Sequence, residues 1–256
     1  MFHFIQDKKY HNLFKKYVEN KTSFSLQDIL GNGSYGFAYL LLDEVTGNQY
    51  VLKRMRAKHR NDDKQRAKFQ QEITMLKELD IPNVPNILYD GVLEDIPFYI
   101  MDFVNGSTFE QAIFEEGITF SLKESLAIVK DLLEIVNNIH QKGIVHRDLR
   151  IPNILIQHNI LYIIDFGLAA YIKDDTRMED IENPKKIENH WSDLYYIGHF
   201  LLYLLYSNYS PTERKERRWQ EELELPPVVE EYIERLLLIQ QPFSTTEEAI
   251  KSIPTV

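Results

Sequence analysis

The chain contains no cysteine, which removes disulfides and thiolate metal sites at once and fits a cytoplasmic setting. Nor does it carry a surplus of basic charge. The formal net charge is −10, and broad nucleic-acid binding needs a basic surface. No apolar run is long enough for a bilayer, which takes about 20 residues of helix; the greasiest stretch, 195–206, reads as a buried helix. Residues 1–14 lack the apolar core of a signal peptide. What is present is 256 residues of which 44% are apolar, enough to bury a full core in one domain or two small lobes.

The texture changes along the chain. Residues 24–103 read as strands with one helix: three short runs broken by the glycines at 31–36 and by Thr46-Gly47-Asn48, then a charged helix over 61–79, then two more strand-like runs on either side of 93–96. Before the sheet, a segment with Lys8, Lys9, Lys15 and Lys16 reads as a helix on the small lobe. From Ser107 onward the pattern is helical, with capping boxes expected at Ser107/Glu110, Ser121/Glu124 and Ser244/Glu247. Leu122, Leu126, Val129, Leu133, Val136 and Ile139 recur at helical spacing, and Gly143 stops that helix. The expected layout is an extension over 1–23, a sheet-based small lobe over 24–104 and a helical large lobe over 107–256.

Two features are chemically unusual. In the helix over 61–79, Phe69, Ile73, Leu76 and Leu79 form an apolar stripe, and Glu72 falls inside it. A carboxylate facing a core needs a cation; Lys53, on the same strand face as Val51, is the natural candidate, and a Glu72 at the edge reaching water is the alternative. The second feature is the G-x-G-x-x-G run at Gly31, Gly33 and Gly36, a weak motif alone. Strand-like sequence on both sides makes it a hairpin tip rather than the strand-to-helix turn of a dinucleotide fold.

These features gain meaning from the octet HRDLRIPN, residues 146–153, and from the strand run ending in Asp165-Phe166-Gly167. With the glycine hairpin, Lys53, Glu72 and the SDLYYIG run at 192–198, they occur in the order found in eukaryotic-type protein kinases, which the sequence resembles over roughly residues 24–253. The resemblance implies an α+β, bilobal protein-kinase-like fold: an antiparallel sheet with one key helix, then a mainly helical lobe. It implies ATP and Mg²⁺ as cofactors and a protein hydroxyl, most simply of Ser or Thr, as acceptor. By the same resemblance Lys53 holds the α- and β-phosphates, Glu72 fixes Lys53, Asp148 takes or orients the acceptor's proton, and Arg150 neutralises the γ-phosphate. Asn153 and Asp165 are the metal ligands. Leu30, Gly31, Asn32, Gly33, Ser34, Tyr35, Gly36, Phe37 and Ala38, with Val51, Lys53, Met101, Asp102, Val104 and Leu155, are the expected nucleotide-binding residues, and Ala38 and Val51 lie around the adenine. His146 and Phe166 are packing residues.

The sequence also departs from the family. The interval from Asp165 to Asp193 is short and lacks an APE run, and the late stretch 239–249 has no arginine to meet the missing glutamate. Ala38 and Val51 are small and large where the family has large and small, a compensating swap or a crowded adenine slot. Asp174, Asp175 or Glu179 is a candidate stand-in for a phosphate opposite Arg147, although a solvated acidic loop also fits; the charge run 53–68 and the basic cluster 214–218 read as solvated faces. A pseudokinase binding module and a small-molecule phosphotransferase are the rival functions. The resemblance is to small bacterial members, monomeric or weakly dimeric, with no nucleic-acid or membrane partner.

Overall fold

The computed structural model describes residues 2–33, 36–173, 177–210 and 217–255. The chain divides into two compact units, 1–105 and 106–256.

The first unit runs α1 (Phe2–Lys21), β1 (Phe24–Asn32), β2 (Gly36–Asp43), β3 (Gln49–Met55), α2 (Asp63–Leu79), β4 (Ile87–Leu93) and β5 (Ile96–Asp102). Its five strands form one antiparallel sheet in the order β1-β2-β3-β5-β4. Register decides what each face carries, because directly paired residues share a face. Ala38 pairs with Lys53 and Lys53 with Tyr99; Leu40 pairs with Val51 and Val51 with Met101. The opposite face collects Phe37, Arg54 and Phe98, and beside them Tyr39, Leu52 and Ile100.

That second face lies under α1. Tyr10, Phe14 and Val18, spaced one helical turn apart, are buried, and Phe14 meets Phe98 edge-on at 5.2 Å. Arg54 is buried completely there. Its guanidinium lies 4.4 Å from the Phe37 ring centre and 5.6 Å from those of Phe14 and Tyr39. Nε donates to the Tyr39 hydroxyl at 3.0 Å and Nη1 to the Met55 carbonyl at 3.2 Å. Burial pulls the Arg54 pKa below its ordinary value; aromatic faces and hydrogen bonds are what make the cation tolerable.

Helix α2 begins two residues later than the sequence pattern suggests. The Asp62 carboxylate caps it, accepting from the amides of Lys64 and Gln65 at 3.1 and 3.2 Å, so residues 61 and 62 cannot be helical themselves.

The second unit contains β6 (Ser107–Thr108), α3 (Phe109–Phe114), α4 (Leu122–Gln141), β7 (Ile144–Val145), β8 (Ile154–Gln157), β9 (Ile160–Ile163), β10 (Ala170–Tyr171), α5 (His190–Tyr206), α6 (Trp219–Glu222), α7 (Pro227–Leu236) and α8 (Thr246–Lys251). Short antiparallel ladders β6-β8-β9 and β7-β10 interrupt the helical texture. The Ser121/Glu124 capping box forms as expected, and Gly143, at φ +74°, ends α4 in a backbone region that favours glycine. The other two caps sit one residue later than expected. Thr108 and Gln111 make the box of α3, while Ser107 donates to Glu116; Thr245 caps α8. Adjacent hydroxyl residues offer the same chemistry, and backbone geometry selects between them. Near the end of the unit, Arg235 bonds Glu248 at 2.6 Å and stacks 3.9 Å from the Phe243 ring centre. The late helices therefore do have an arginine clasp, supplied from just before the arginine-free stretch 239–249. Among the described residues, no helix is long and apolar enough to cross a membrane.

Candidate active site

In the first unit the anomaly of Glu72 resolves as an ion pair. Glu72 is 3% exposed, and its Oε1 accepts from Lys53 Nζ at 2.6 Å. A third member was not foreseen: the buried Tyr99 hydroxyl donates to the same oxygen at 2.9 Å. No local sequence pattern marks it, because a tyrosine in a strand ordinarily reads as a β-former; the pairing of Lys53 with Tyr99 on β5 is what brings it to Glu72.

Ala38, Val51, Lys53 and Met101 share this sheet face, with Gly31 paired to Ala38 across the hairpin. Ala38 and Val51 are diagonal neighbours there. Gly36 is obligatory for a steric reason: an added Cβ would lie 2.5 Å from the Arg54 carbonyl oxygen. Leu30 is exposed beside a register shift in β1. Phe37 belongs to the hairpin by its backbone. Strand alternation turns it to the opposite face, where it packs on Arg54 and Arg56. Asp102 is engaged with Asn86, whose amide donates to its carboxylate at 3.1 Å, and Val104 is half-buried. Ser34 and Tyr35 lie outside the described residues.

In the second unit the octet forms a compact polar cluster. Arg150 grips Asp148 with two bonds, Nε to Oδ1 at 2.6 Å and Nη2 to Oδ2 at 3.0 Å. The Asp148 hydrogen bond raises the Arg150 pKa above its ordinary value. The planar fork of Arg150 matches the nearby carboxylate and holds it in orientation. Asn153 Nδ2 donates to Asp148 at both the main-chain oxygen, 2.9 Å, and Oδ2, 2.8 Å.

His146 is a packing residue with a defined tautomer. Its Nε2 meets the Ile164 carbonyl at 3.0 Å and must donate, while its Nδ1 accepts the Asp148 amide at 3.2 Å. Phe166 is buried edge-on against it, ring centres 4.6 Å apart. Asp165 is exposed and, like Arg147, has φ +64°, an unusual conformation for residues that are not glycine. Leu155 is buried in β8, opposite Tyr162 of β9.

Asp193, on α5, ties this loop down. It is fully buried and accepts from the backbone amides of His146 at 2.8 Å and Arg147 at 2.6 Å. It also bonds His140 Nε2 at 2.9 Å, and the other ring nitrogen of His140 meets the Thr246 hydroxyl at 2.7 Å. Burial alone would raise the Asp193 pKa; the bonds from His140 and from the loop amide outweigh it and hold the value low.

Among the described residues, Glu188 is the acid that pairs with Arg147. Arg147 Nη1 lies 3.4 Å from Glu188 Oε1 and 3.4 Å from the Leu168 carbonyl, and Nη2 donates to the Lys186 carbonyl at 3.0 Å. Lys173 Nζ is 2.5 Å from the other Glu188 oxygen. Glu179 instead pairs with Arg177 at 3.0 Å at the surface, which corrects its candidacy; Asp174 and Asp175 lie outside the described residues. The cluster 214–218 is described only from Arg217.

A five-stranded antiparallel unit with a buried lysine–glutamate pair, followed by a helical unit carrying an ordered HRD-to-DFG cluster, defines a bilobal protein kinase fold. The protein kinase domain model matches residues 24–198, and the chain belongs to that family. It is 34% identical over 223 residues to the probable serine/threonine-protein kinase YbdM of Bacillus subtilis, covering 87% of this chain and 85% of that protein. It is 30% identical over 154 residues to the serine/threonine-protein kinase PrkC of the same organism, covering 60% of this chain and 24% of that one. The crystal structure of the Mycobacterium tuberculosis PknI kinase domain superposes with a TM-score of 0.67 at 19% identity, covering 90% of this chain and 94% of the other.

Proposed function

We propose that the chain is an ATP- and Mg²⁺-dependent protein kinase that phosphorylates serine or threonine hydroxyls. The observation that carries the reading is the buried 2.6 Å bond between Lys53 and Glu72, a charge pair that packing alone does not require and that phosphate binding does. The serine/threonine preference takes its support from the names of the Bacillus relatives.

Lys53, held by Glu72 and Tyr99, offers its ammonium to the α- and β-phosphates. Asp148, oriented by Arg150 and Asn153, receives the proton of the acceptor hydroxyl as its oxygen bonds the γ-phosphorus and the bond to the bridging oxygen of the ADP leaving group breaks. Asn153 and Asp165 fit a magnesium ion by donor chemistry: a carboxylate and an amide oxygen are the hard donors it takes. The two bonds from Asn153 Nδ2 to Asp148 fix the amide so that its oxygen is turned the other way. When bound, the metal supplies charge neutralisation on the phosphate oxygens. Ala38 and Val51 are read as a volume-conserving exchange beside the adenine.

Incubation with labelled ATP and a generic protein acceptor tests the reading. Label on protein serine or threonine that is lost with Asp148→Ala is the expected result. No stabilisation by millimolar Mg·ATP in a thermal shift would overturn it in favour of a binding module, and label confined to a metabolite would point to a small-molecule phosphotransferase.

A further inference from the structure

The run 53–68 looks like a solvated charged face in sequence, yet its first three cations have three different surroundings. Lys53 pairs with Glu72 and Arg54 is entombed beneath α1. Arg56 leaves β3 in extended conformation, φ −65° and ψ 137°, and turns back to the glycine hairpin. Its Nε donates to the Gly33 carbonyl at 2.7 Å. Its Nη2 reaches the Asn32 carbonyl at 3.4 Å and the Asn32 side-chain oxygen. The guanidinium also lies 4.9 Å from the Phe37 ring centre, so it touches the hairpin on both of its strands. The remaining arm, Nη1, bonds Asp7 Oδ2 of α1 at 3.3 Å. Both side chains of that pair are less than one-fifth exposed, at 19% and 17%, so salt and water screen it less than an open surface pair.

We propose that Arg56 is a positioning residue for the glycine hairpin, and that α1, through Asp7, sets where the hairpin stands. The proposal rests on the reading of that hairpin as the cover over the nucleotide's phosphates. The physical link is the peptide plane. In a planar trans peptide the N–H points opposite to the C=O, so holding the Asn32 carbonyl fixes the direction of the Gly33 amide, the type of donor a phosphate oxygen accepts. Glycine hairpins have little side-chain packing to hold them, and each ordered residue carries a conformational entropy cost. Arg56 supplies that order from outside the hairpin. Its fork serves two carbonyls, a side-chain amide and a carboxylate together, which a lysine ammonium cannot match in plane. Asp7 stops the guanidinium from swinging into solvent. A helix that precedes the family-matched region is thus wired to the element proposed to hold the phosphates.

The experiment compares the full chain with Asp7→Asn, Arg56→Lys and, as a control on the same helix, Glu19→Gln, whose partner Lys15 is a surface pair 3.7 Å away. Dissociation constants are measured for Mg·ATP and for adenosine, which lacks the phosphates. Expected are losses of about tenfold in ATP affinity for Asp7→Asn and Arg56→Lys, adenosine binding unchanged within about twofold, and no effect of Glu19→Gln. Equal weakening of both ligands, or of neither, overturns the proposal, because a merely structural role would not single out the phosphates. Hydrogen exchange of the segment 27–40 without nucleotide gives an independent readout: faster exchange in Asp7→Asn is expected, and unchanged exchange sinks the bridge. If the unaltered chain binds no nucleotide, the functional reading fails while the exchange comparison still decides on the bridge.

Discussion

Tyr99 donates to Glu72 Oε1 at 2.9 Å, the oxygen that Lys53 holds at 2.6 Å. One carboxylate oxygen thus takes an ammonium and a phenol from neighbouring positions of the sheet. The phenol limits how far Glu72 can turn, and so how far Lys53 can follow. Tyr99→Phe should destabilise the fold by about 1–3 kcal/mol, the cost of a lost buried bond, and lower turnover severalfold. Lys53→Ala should abolish it. Turnover in Tyr99→Phe equal to that of the unaltered protein would show the phenol to be idle.

Gly33 and Gly36 are both motif glycines but face opposite constraints. Nothing lies within 4 Å of a Cβ added at Gly33, whereas one at Gly36 would meet the Arg54 carbonyl oxygen at 2.5 Å. Gly36→Ala should lower the melting temperature by several degrees, consistent with about 1–3 kcal/mol for overpacking, and Gly33→Ala should leave it nearly unchanged. A melting scan of both variants separates them; equal shifts would contradict the steric account.

Glu188 bridges Arg147 and Lys173, tying the arginine of the HRD loop to Lys173 beyond the DFG run. Glu188→Gln should speed limited proteolysis between residues 168 and 189 and reduce kinase activity severalfold. Glu179→Gln removes only an exposed pair, worth about 0–1 kcal/mol, and should change neither. Proteolysis of Glu188→Gln at the unaltered rate would refute the bridge.

His199 of α5 is half-buried, and its Nε2 is shut off from solvent with no hydrogen-bond partner among the described residues. Burial first, and Lys185 second, lower its pKa from the ordinary 6.5. The unfolded chain then takes up a proton at a pH where the folded chain refuses it. The associated stability is present above 6.5 and is lost as pH falls through the lower folded value. Denaturant titrations at about pH 7.5 and about pH 5.5 should show a smaller pH effect in His199→Phe than in the unaltered protein. An equal effect in both would assign the acid sensitivity elsewhere.

Much of the first unit is legible before any coordinates. Glu72 in an apolar stripe, Lys53 on a strand and glycines between two strand-like runs each break a local pattern, and broken patterns are visible in one dimension. Tyr99 breaks none, so only register reveals it. Arg54 and Arg56 read as solvated because a charge run carries no sign of what packs over it; the i, i+4 series Tyr10, Phe14 and Val18 was the available clue, masked by the lysines around it. Glu188 lies farther from the DFG run than Asp174, Asp175 and Glu179, and sequence separation does not tell which carboxylate a folded loop brings to Arg147. The caps of α3 and α8 were missed by one residue for the same kind of reason: neighbouring hydroxyls are chemically alike, and backbone angle alone distinguishes them.

The family match opens at residue 24, the place where anyone trimming this kinase for expression would be tempted to cut. Such a cut would leave Arg54 roofless, its cationic head and the aromatic rings around it suddenly wetted on one side. The practical boundary of the catalytic domain is therefore drawn by the helix that roofs a hidden arginine, a helix upstream of every recognisable motif, and shortened versions that begin at the first strand should prove sticky and poorly behaved however complete their catalytic residues are.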